Sequence, residues 1–334
     1  VERRTGALGL MRYASLSLDL DNQWSYMKTH GDALWETFPS YLDLVVPRIL
    51  KFLKDRDLTI TFFIVGQDAA LEKNHTALKQ IVDAGHEIGN HSFNHEPWLH
   101  LYSKEQLDEE FEKTEAAIAR IYEKKLVGFR GPGYSLSPTV LEVLATRGYE
   151  YDCSTLPTYI GPFARAYYFF KSPQMTDGEK EKRNKLFGKL SDGAKTLKPH
   201  FVDTASRTLV EIPVTTFPFV KTPIHASYLL YLSTFSQTAA LAYWRSALFA
   251  CRLTGVQPSL LLHPLDFLCG DDVSELNFFP GMGMSLGRKL NMMSAVLSIF
   301  AENFDVVSMG EHAAAVRLGS SSPNARPTVI GEAG

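Results

Sequence analysis

The stretch LTITFFIVGQDAALEKNHTALKQIVDAGHEIGNHSFNH, residues 58–95, holds one complete structural unit. Its β-branched and aromatic run 58–65 reads as a strand, 68–84 carries apolar residues at helical spacing, and 86–90 reads as a second short strand. Strand, crossover helix, strand is the unit from which parallel sheets are built. The second strand ends by delivering His91 and His95, with three residues between them. Histidines four apart can share one face of a helical turn and bind one ion. In a chain with ten histidines the pair alone reads equally well as surface or hydrogen-bonded core residues.

Working outward, the same alternation recurs. Strands are expected at 13–20, 126–130, 149–153, 209–212, 258–262 and 304–307, and helices at 41–56, 103–124, 137–147, 234–254 and 285–303. Ser103 and Gln106 have capping-box spacing, and Ser137-Pro138 sets Pro in a first helical turn. Seven or eight such units in 334 residues favour a closed or nearly closed α/β barrel over an open doubly wound sheet, with the active site at the strand C-termini. We assign 1–320 to a single barrel domain and 321–334 to a flexible tail.

The rhythm breaks at about 156–208, which we read as an inserted helical or loop segment. There the run Tyr167, Tyr168, Phe169, Phe170 precedes residues 171–198, which hold eight Lys or Arg against four Asp or Glu. Such a segment can pack as a lid on the barrel or rest on an anionic membrane surface. The segment 226–244 lacks charged residues, but its Ser, Thr and Gln content makes it a barrel helix and not a membrane span.

The chain is 45% hydrophobic and 21% charged, the balance of a folded globular protein. A net charge of −3 gives no basic field for nucleic acid. Three scattered cysteines make neither a disulfide framework nor a thiolate metal site, pointing to a reducing compartment. The opening VERRTGALGLMRY lacks the apolar core of a secretion signal. The expected location is therefore cytoplasmic, with peripheral contact at the inner membrane face.

Three further stretches carry chemistry. SLDLDNQW at 17–24 ends a strand in Asp19 and Asp21, which two-residue spacing places on one face. With His91 and His95 this supplies two neutral nitrogens and a carboxylate, leaving open positions as catalytic zinc requires. GFRGPGYSLSP at 128–138 sets Arg130 before a Gly-Pro-Gly turn whose N–H groups can face an anion while the guanidinium orients a carboxylate; an ordinary strand-to-helix loop is the plainer reading. SLLLHPLDF at 259–267 ends a strand in His263 with Asp266 close behind, a placement suited to proton transfer.

In order and spacing these motifs resemble the polysaccharide deacetylase family, carbohydrate esterase family four with NodB homology, over about 13–310. The resemblance implies a distorted (β/α) barrel of seven to eight units. It implies that Asp19 is the catalytic base and Asp21 a metal ligand; the commonest form has adjacent aspartates, and this chain resembles the branch with one residue between them. HSFNH implies His91 and His95 as the other ligands. RGPGY implies Arg130 as the orienter of Asp19 and the Tyr134 backbone N–H as an oxyanion donor. Leu261, Leu262 and His263 match the motif whose His is the general acid. The family pairs that acid with an Asp near a Trp; YDCSTLP at 151–157 offers Asp152 without Trp, and Asp266 competes for the role.

The implied activity is hydrolysis of an N-acyl group, acetyl in the simplest case, from an amino sugar, with a divalent metal, zinc, as cofactor. The absence of a secretion signal together with the aromatic and basic insertion suggests a lipid-linked saccharide as substrate. Other readings are a metal-independent amidohydrolase of small cyclic ureides, a non-catalytic carbohydrate-binding barrel, and a non-heme iron oxygenase, whose facial triad also uses two histidines and a carboxylate. The three ligands weigh against the metal-independent reading, the complete set of Asp19, Asp21, His91, His95, Arg130 and His263 against the non-catalytic one, and the barrel pattern with the additional acid Asp19 against the oxygenase.

Overall fold

The strands form where β-branched and aromatic residues run together, and they order themselves into one sheet. The computed structural model describes residues 13–159 and 190–320. Its strands are β1 (Tyr13–Leu20), β2 (Thr61–Ile64), β3 (Glu87–Asn90), β4 (Gly128–Phe129), β5 (Tyr151–Asp152), β6 (His200–Asp203), β7 (Thr208–Glu211), β8 (Ser259–Leu262) and β9 (Asp305–Val307). The helices are α1 (Gln23–His30), α2 (Leu42–Lys54), α3 (Gly66–Ala70), α4 (Glu72–Asp83), α5 (Lys104–Ile118), α6 (Pro138–Arg147), α7 (Ala226–Phe235), α8 (Gln237–Thr254), α9 (Leu286–Asn303) and α10 (Met309–Ser320).

The sheet order is β6-β7-β5-β4-β3-β2-β1-β8, with β9 paired to the start of β1. All pairings are parallel except β6 with β7. The two ends of the sheet are brought together by the chain after β7: Thr215 N–H donates to the Ser259 carbonyl at 3.1 Å, and Ser259 N–H donates to Thr215 Oγ1 at 2.8 Å. The sheet is thus a curled, distorted (β/α) barrel, as expected.

Strand alternation sorts the side chains. Leu16, Leu18 and Leu20 face the surrounding helices in the main core, leaving Ser15, Ser17 and Asp19 on the inner face. Inside, Phe63, Tyr151, Cys153, Val210 and Ile212 pack with Met309 and Ala313 of α10. Room for the rings comes from inward glycines. A Cβ on Gly89 would lie 2.5 Å from the Phe63 ring, and one on Gly128 would lie 2.0 Å from the Tyr151 ring.

Helix α10 closes the N-terminal end of the strands. Met309 N–H donates to Thr61 Oγ1 at 2.8 Å, Gly310 N–H donates to Glu87 Oε2 at 2.9 Å, and His312 shares a hydrogen bond with Ser15 at 2.9 Å. The C-terminal end is where the motif residues emerge.

Departures from expectation have local causes. The helix expected at 68–84 is two, broken at Leu71, whose extended backbone ends α3 and precedes α4. Ser236, extended at φ −157°, likewise separates α7 from α8, and its side chain caps α8. β6, inside the stretch read as insertion, pairs as an antiparallel hairpin with β7, which answers to the strand expected at 209–212. The rest of that insertion from 160 to 189, with Tyr167, Tyr168, Phe169 and Phe170 and much of the basic run, lies outside the described residues, as does the tail 321–334. Among the described residues no helix is long and apolar enough to cross a membrane.

Candidate metal centre

Asp19 and Asp21 straddle the end of β1. Asp21 is fixed through its backbone, because Tyr41 Oη donates to its carbonyl at 2.5 Å. The next residue, Asn22, caps α1 and donates to Asp68 Oδ1 at 2.7 Å, and Trp24 Nε1 donates to the same carboxylate at 3.1 Å. Asp68 is only 1% exposed; burial raises its carboxyl to about 6, against the lowering effect of the Asn22 and Trp24 donors. Nothing in the sequence pattern singles out this anchor, which lies 46 residues from the turn it holds.

His91 and His95 do not lie on a helical turn. They occupy a loop in which Ser92 (φ +60°) and His95 (φ +53°) are left-handed, a conformation disfavoured for side-chain-bearing residues and found where surrounding bonds enforce it. Those bonds are present. Asn90 Oδ1 accepts from Ser92 N–H at 2.7 Å, and the buried Glu110 of α5 accepts from the Phe93 and Asn94 N–H groups at 2.9 and 2.6 Å. Glu110 was not legible as a site residue from its place in an amphipathic helix.

Three ligand atoms converge. Asp21, His91 and His95 each offer one atom, all within 4.8 Å of one another. His91 Nδ1 donates to the Arg130 carbonyl at 2.6 Å, which fixes the ring and turns Nε2 toward Asp21 Oδ1 at 3.4 Å; His95 Nε2 lies 3.0 Å from the same oxygen. A histidine ligand held through its other nitrogen is a recurring feature of metal sites. Asp21 Oδ1 is buried and accepts no hydrogen bond. A buried carboxylate oxygen with no donor, facing two imidazole nitrogens, is costly unless a cation completes it, so the donor set fits a divalent metal. Burial raises the Asp21 carboxyl, but facing His95 and His91 outweigh it and hold the group well below the ordinary carboxylate range.

Asp19 sits beside this centre. Its Oδ1 accepts from Arg130 Nη1 at 2.8 Å, and its Oδ2 lies 3.9 Å from His91 Nε2. Arg130 is fully buried, with Nη1 also on Ser17 Oγ at 2.8 Å, Nε on the Cys153 carbonyl at 3.1 Å, and its guanidinium 4.5 Å above the Phe63 ring. Burial would lower the Arg130 pKa, but Asp19 raises it above the ordinary value, so the buried guanidinium stays charged.

The 131–135 turn departs from what its motif suggested. Tyr134 is left-handed at φ +61°, and its backbone N–H, expected to face an oxyanion, is donated to the Gly131 carbonyl at 3.0 Å. Asp152 also lies elsewhere than expected. It accepts from Ser154 N–H and Oγ at 3.0 and 2.7 Å, on the sheet face opposite Tyr151 and Cys153. Ser154 Oγ in turn accepts from Gly131 N–H at 2.7 Å, so Asp152 props the turn.

The group that meets His263 is Asp266. Its Oδ2 accepts from His263 N–H at 2.8 Å, and Ser227 Oγ donates to its Oδ1 at 2.7 Å while lying 3.4 Å from His263 Nδ1. A three-residue spacing at a tight turn brings this carboxylate back, whereas Asp152 is committed to its own loop. Leu18 pairs with Leu262 in register, so Asp19 and His263 follow side by side at the ends of adjacent strands.

Fold and geometry together define a distorted (β/α) barrel with a buried Asp-His-His cluster, an Arg-held second aspartate and a histidine at its strand C-termini. Comparisons with known proteins agree. Residues 27–151 match the sequence model of the family described as polysaccharide deacetylase; that span contains His91, His95, Arg130 and Tyr134 but not Asp19, Asp21 or His263. The chain is 31% identical over 118 residues to a peptidoglycan deacetylase of Helicobacter pylori, covering 35% of this chain and 39% of that one. It is 31% identical over 107 residues to a peptidoglycan-N-acetylglucosamine deacetylase of Bacillus cereus, covering 31% and 47%. The matched stretches thus span less than half the length of these relatives. Among solved structures, a Mycobacterium smegmatis protein described as a polysaccharide deacetylase superposes with TM-score 0.61 at 18% identity, covering 97% of this chain and 98% of that one. Puue allantoinase superposes at 0.55 with 14% identity, covering 95% and 93%. These two likenesses are of fold. The resemblance to polysaccharide deacetylases read from the motifs is shown by the family match and the relatives together.

Proposed function

We propose that this chain is a metal-dependent hydrolase that removes an N-acyl group, acetyl in the simplest case, from an amino sugar. The observation that carries the proposal is the convergence of Asp21, His91 and His95 within 4.8 Å beside an aspartate held by a buried arginine. The likeness to peptidoglycan deacetylases supports a saccharide amide as substrate.

Asp21, His91 and His95 would hold the cation, with zinc the ion best matched to two imidazoles and one carboxylate. Such an ion supplies Lewis acidity toward the acyl oxygen and brings the pKa of a water toward about 7. The remaining work belongs to the chain. Arg130 fixes Oδ1 of Asp19, which leaves Oδ2 to take the proton of the attacking water. His263, with Asp266 and Ser227 behind it, gives a proton to the departing amine as the C–N bond breaks. A metal-independent amidohydrolase would have no use for three converging ligand atoms.

The test is acetate release from N-acetylchitopentaose with and without chelator. Release that stops on chelation and returns with zinc supports the proposal, whereas release indifferent to chelator contradicts it. A lipid-linked saccharide assayed in parallel decides between polymer and lipid carrier.

A further inference from the structure

The turn that follows His263 is gripped by two cations from neighbouring helices. Pro264–Phe267 is a short 3-10 turn that brings Asp266 back onto the His263 N–H. So short a turn leaves carbonyls unpaired, and side chains take three of those at 265–268. Lys289 of α9 donates through Nζ to the Leu265 carbonyl at 2.6 Å and the Leu268 carbonyl at 2.5 Å, with Met282 Sδ at 3.6 Å. Arg48 of α2 donates through Nη1 to the Phe267 carbonyl at 2.6 Å, while Asp272 accepts from its two terminal nitrogens at 2.7 and 2.9 Å. Arg48 is thus part-buried and paired. Lys289 is 1% exposed, and the three donors of its ammonium face two carbonyls and a thioether, all neutral. Lysine is almost never buried so fully without a paired anion. Burial lowers its pKa, against the opposing effect of Asp266, Cys269 and Asp272.

What the cations fix is the place of Asp266, and through it that of His263. Ser227 Oγ donates to Asp266 Oδ1 at 2.7 Å and lies 3.4 Å from His263 Nδ1, so the surroundings of the imidazole follow from where the turn sets the carboxylate. A catalytic group displaced by about 1 Å can cost ~10²-fold in rate. We infer that Lys289 and Arg48 are positioning residues for proton transfer: by holding the carbonyls of Leu265, Phe267 and Leu268 they set Asp266 and so aim His263 at the departing amine. The inference rests on the reading of the site as an amide hydrolase with His263 as its acid. It also gives a reason for burying an ammonium among neutral acceptors, which otherwise only costs stability.

The experiment compares wild type, Lys289→Met, Arg48→Gln, His263→Gln and each of the first two variants combined with His263→Gln. Two substrates are used: N-acetylchitopentaose, whose amine leaves only with a proton, and 4-nitrophenyl acetate, whose phenolate leaves without one. Metal content and thermal unfolding establish that each variant is folded and loaded. Lys289→Met is expected to lower kcat on the amide by roughly 10²-fold with KM nearly unchanged, to lose far less on the ester, and to add no further loss to His263→Gln. Arg48→Gln, at a part-buried position, should show a smaller loss of the same pattern, and it carries the test if Lys289→Met does not fold. Should wild type leave the ester uncleaved, the double variants on the amide decide alone. Equal losses on amide and ester, losses that multiply in the double variants, or an unchanged amide kcat would overturn the inference while leaving the hydrolase reading intact. Wild type that holds metal yet releases no acetate, or His263→Gln that loses amide and ester alike, would remove the reading on which the inference rests.

Discussion

Asp19 and Asp21 have the same side chain and stand two residues apart, yet their surroundings give them different tasks. Asp21 has its free oxygen toward two imidazoles, whereas Asp19 has one oxygen tied to Arg130. Asp19→Asn should therefore keep about a full complement of metal while kcat falls by ~10²–10⁴-fold, the usual worth of a general base. His91→Ala should lose metal first; equal metal loss in the two variants would refute the division. A second residue-scale prediction concerns Glu211, whose carboxyl is pushed well above its ordinary value by burial and by neighbouring Asp152. The folded chain binds this proton more tightly than the unfolded one, so its contribution is fully present below about 4.5 and is lost as pH rises through the raised folded value. Melting temperature against pH should fall less steeply in Glu211→Gln than in wild type, and identical slopes would contradict this. Asp19, Asp21, His91, His95, Arg130 and His263 were legible because each stands at a strand end or in a short motif. Asp68 and Glu110 were not, because their importance comes from contacts across many residues of sequence, and the choice of Asp266 over Asp152 needed the turn geometry.

At the scale of elements, hydrophobic period located most strands and helices, and the exceptions have physical causes. Helix α1 lacks an apolar stripe because Gln23, Trp24, Ser25 and Met27 are all buried, so the polar members disguise it. The two strands β4 and β5 are only two residues each, since the chain leaves the sheet early to build the Arg130 turn and the Ser154 loop. The inward glycines make a test. On Gly128 a Cβ would meet the Tyr151 ring at 2.0 to 2.4 Å, and that ring is fully buried with its hydroxyl bonded to Glu87. Gly128→Ala should destabilise by ~1–3 kcal/mol, as overpacking does, read as a lowered melting temperature. An unchanged one would show that the ring has room to move.

For the whole molecule, the count of strand-helix units was enough to indicate a barrel. It could not indicate how the barrel closes, because the joint at Thr215 and Ser259 is not a strand pair, nor that α10 would fill the N-terminal end. These features leave the C-terminal end as the face where β1, β3, β4 and β8 deliver Asp19, Asp21, His91, Arg130 and His263, the end at which barrels of this kind work. The central claim is that this end is a metal centre, and elemental analysis of purified wild type and His91→Ala tests it most directly. The account predicts about one divalent ion per chain in wild type and little in the variant, with both melting cooperatively. Wild type that takes up no metal under any reconstitution, or His91→Ala that retains it fully, would contradict the account.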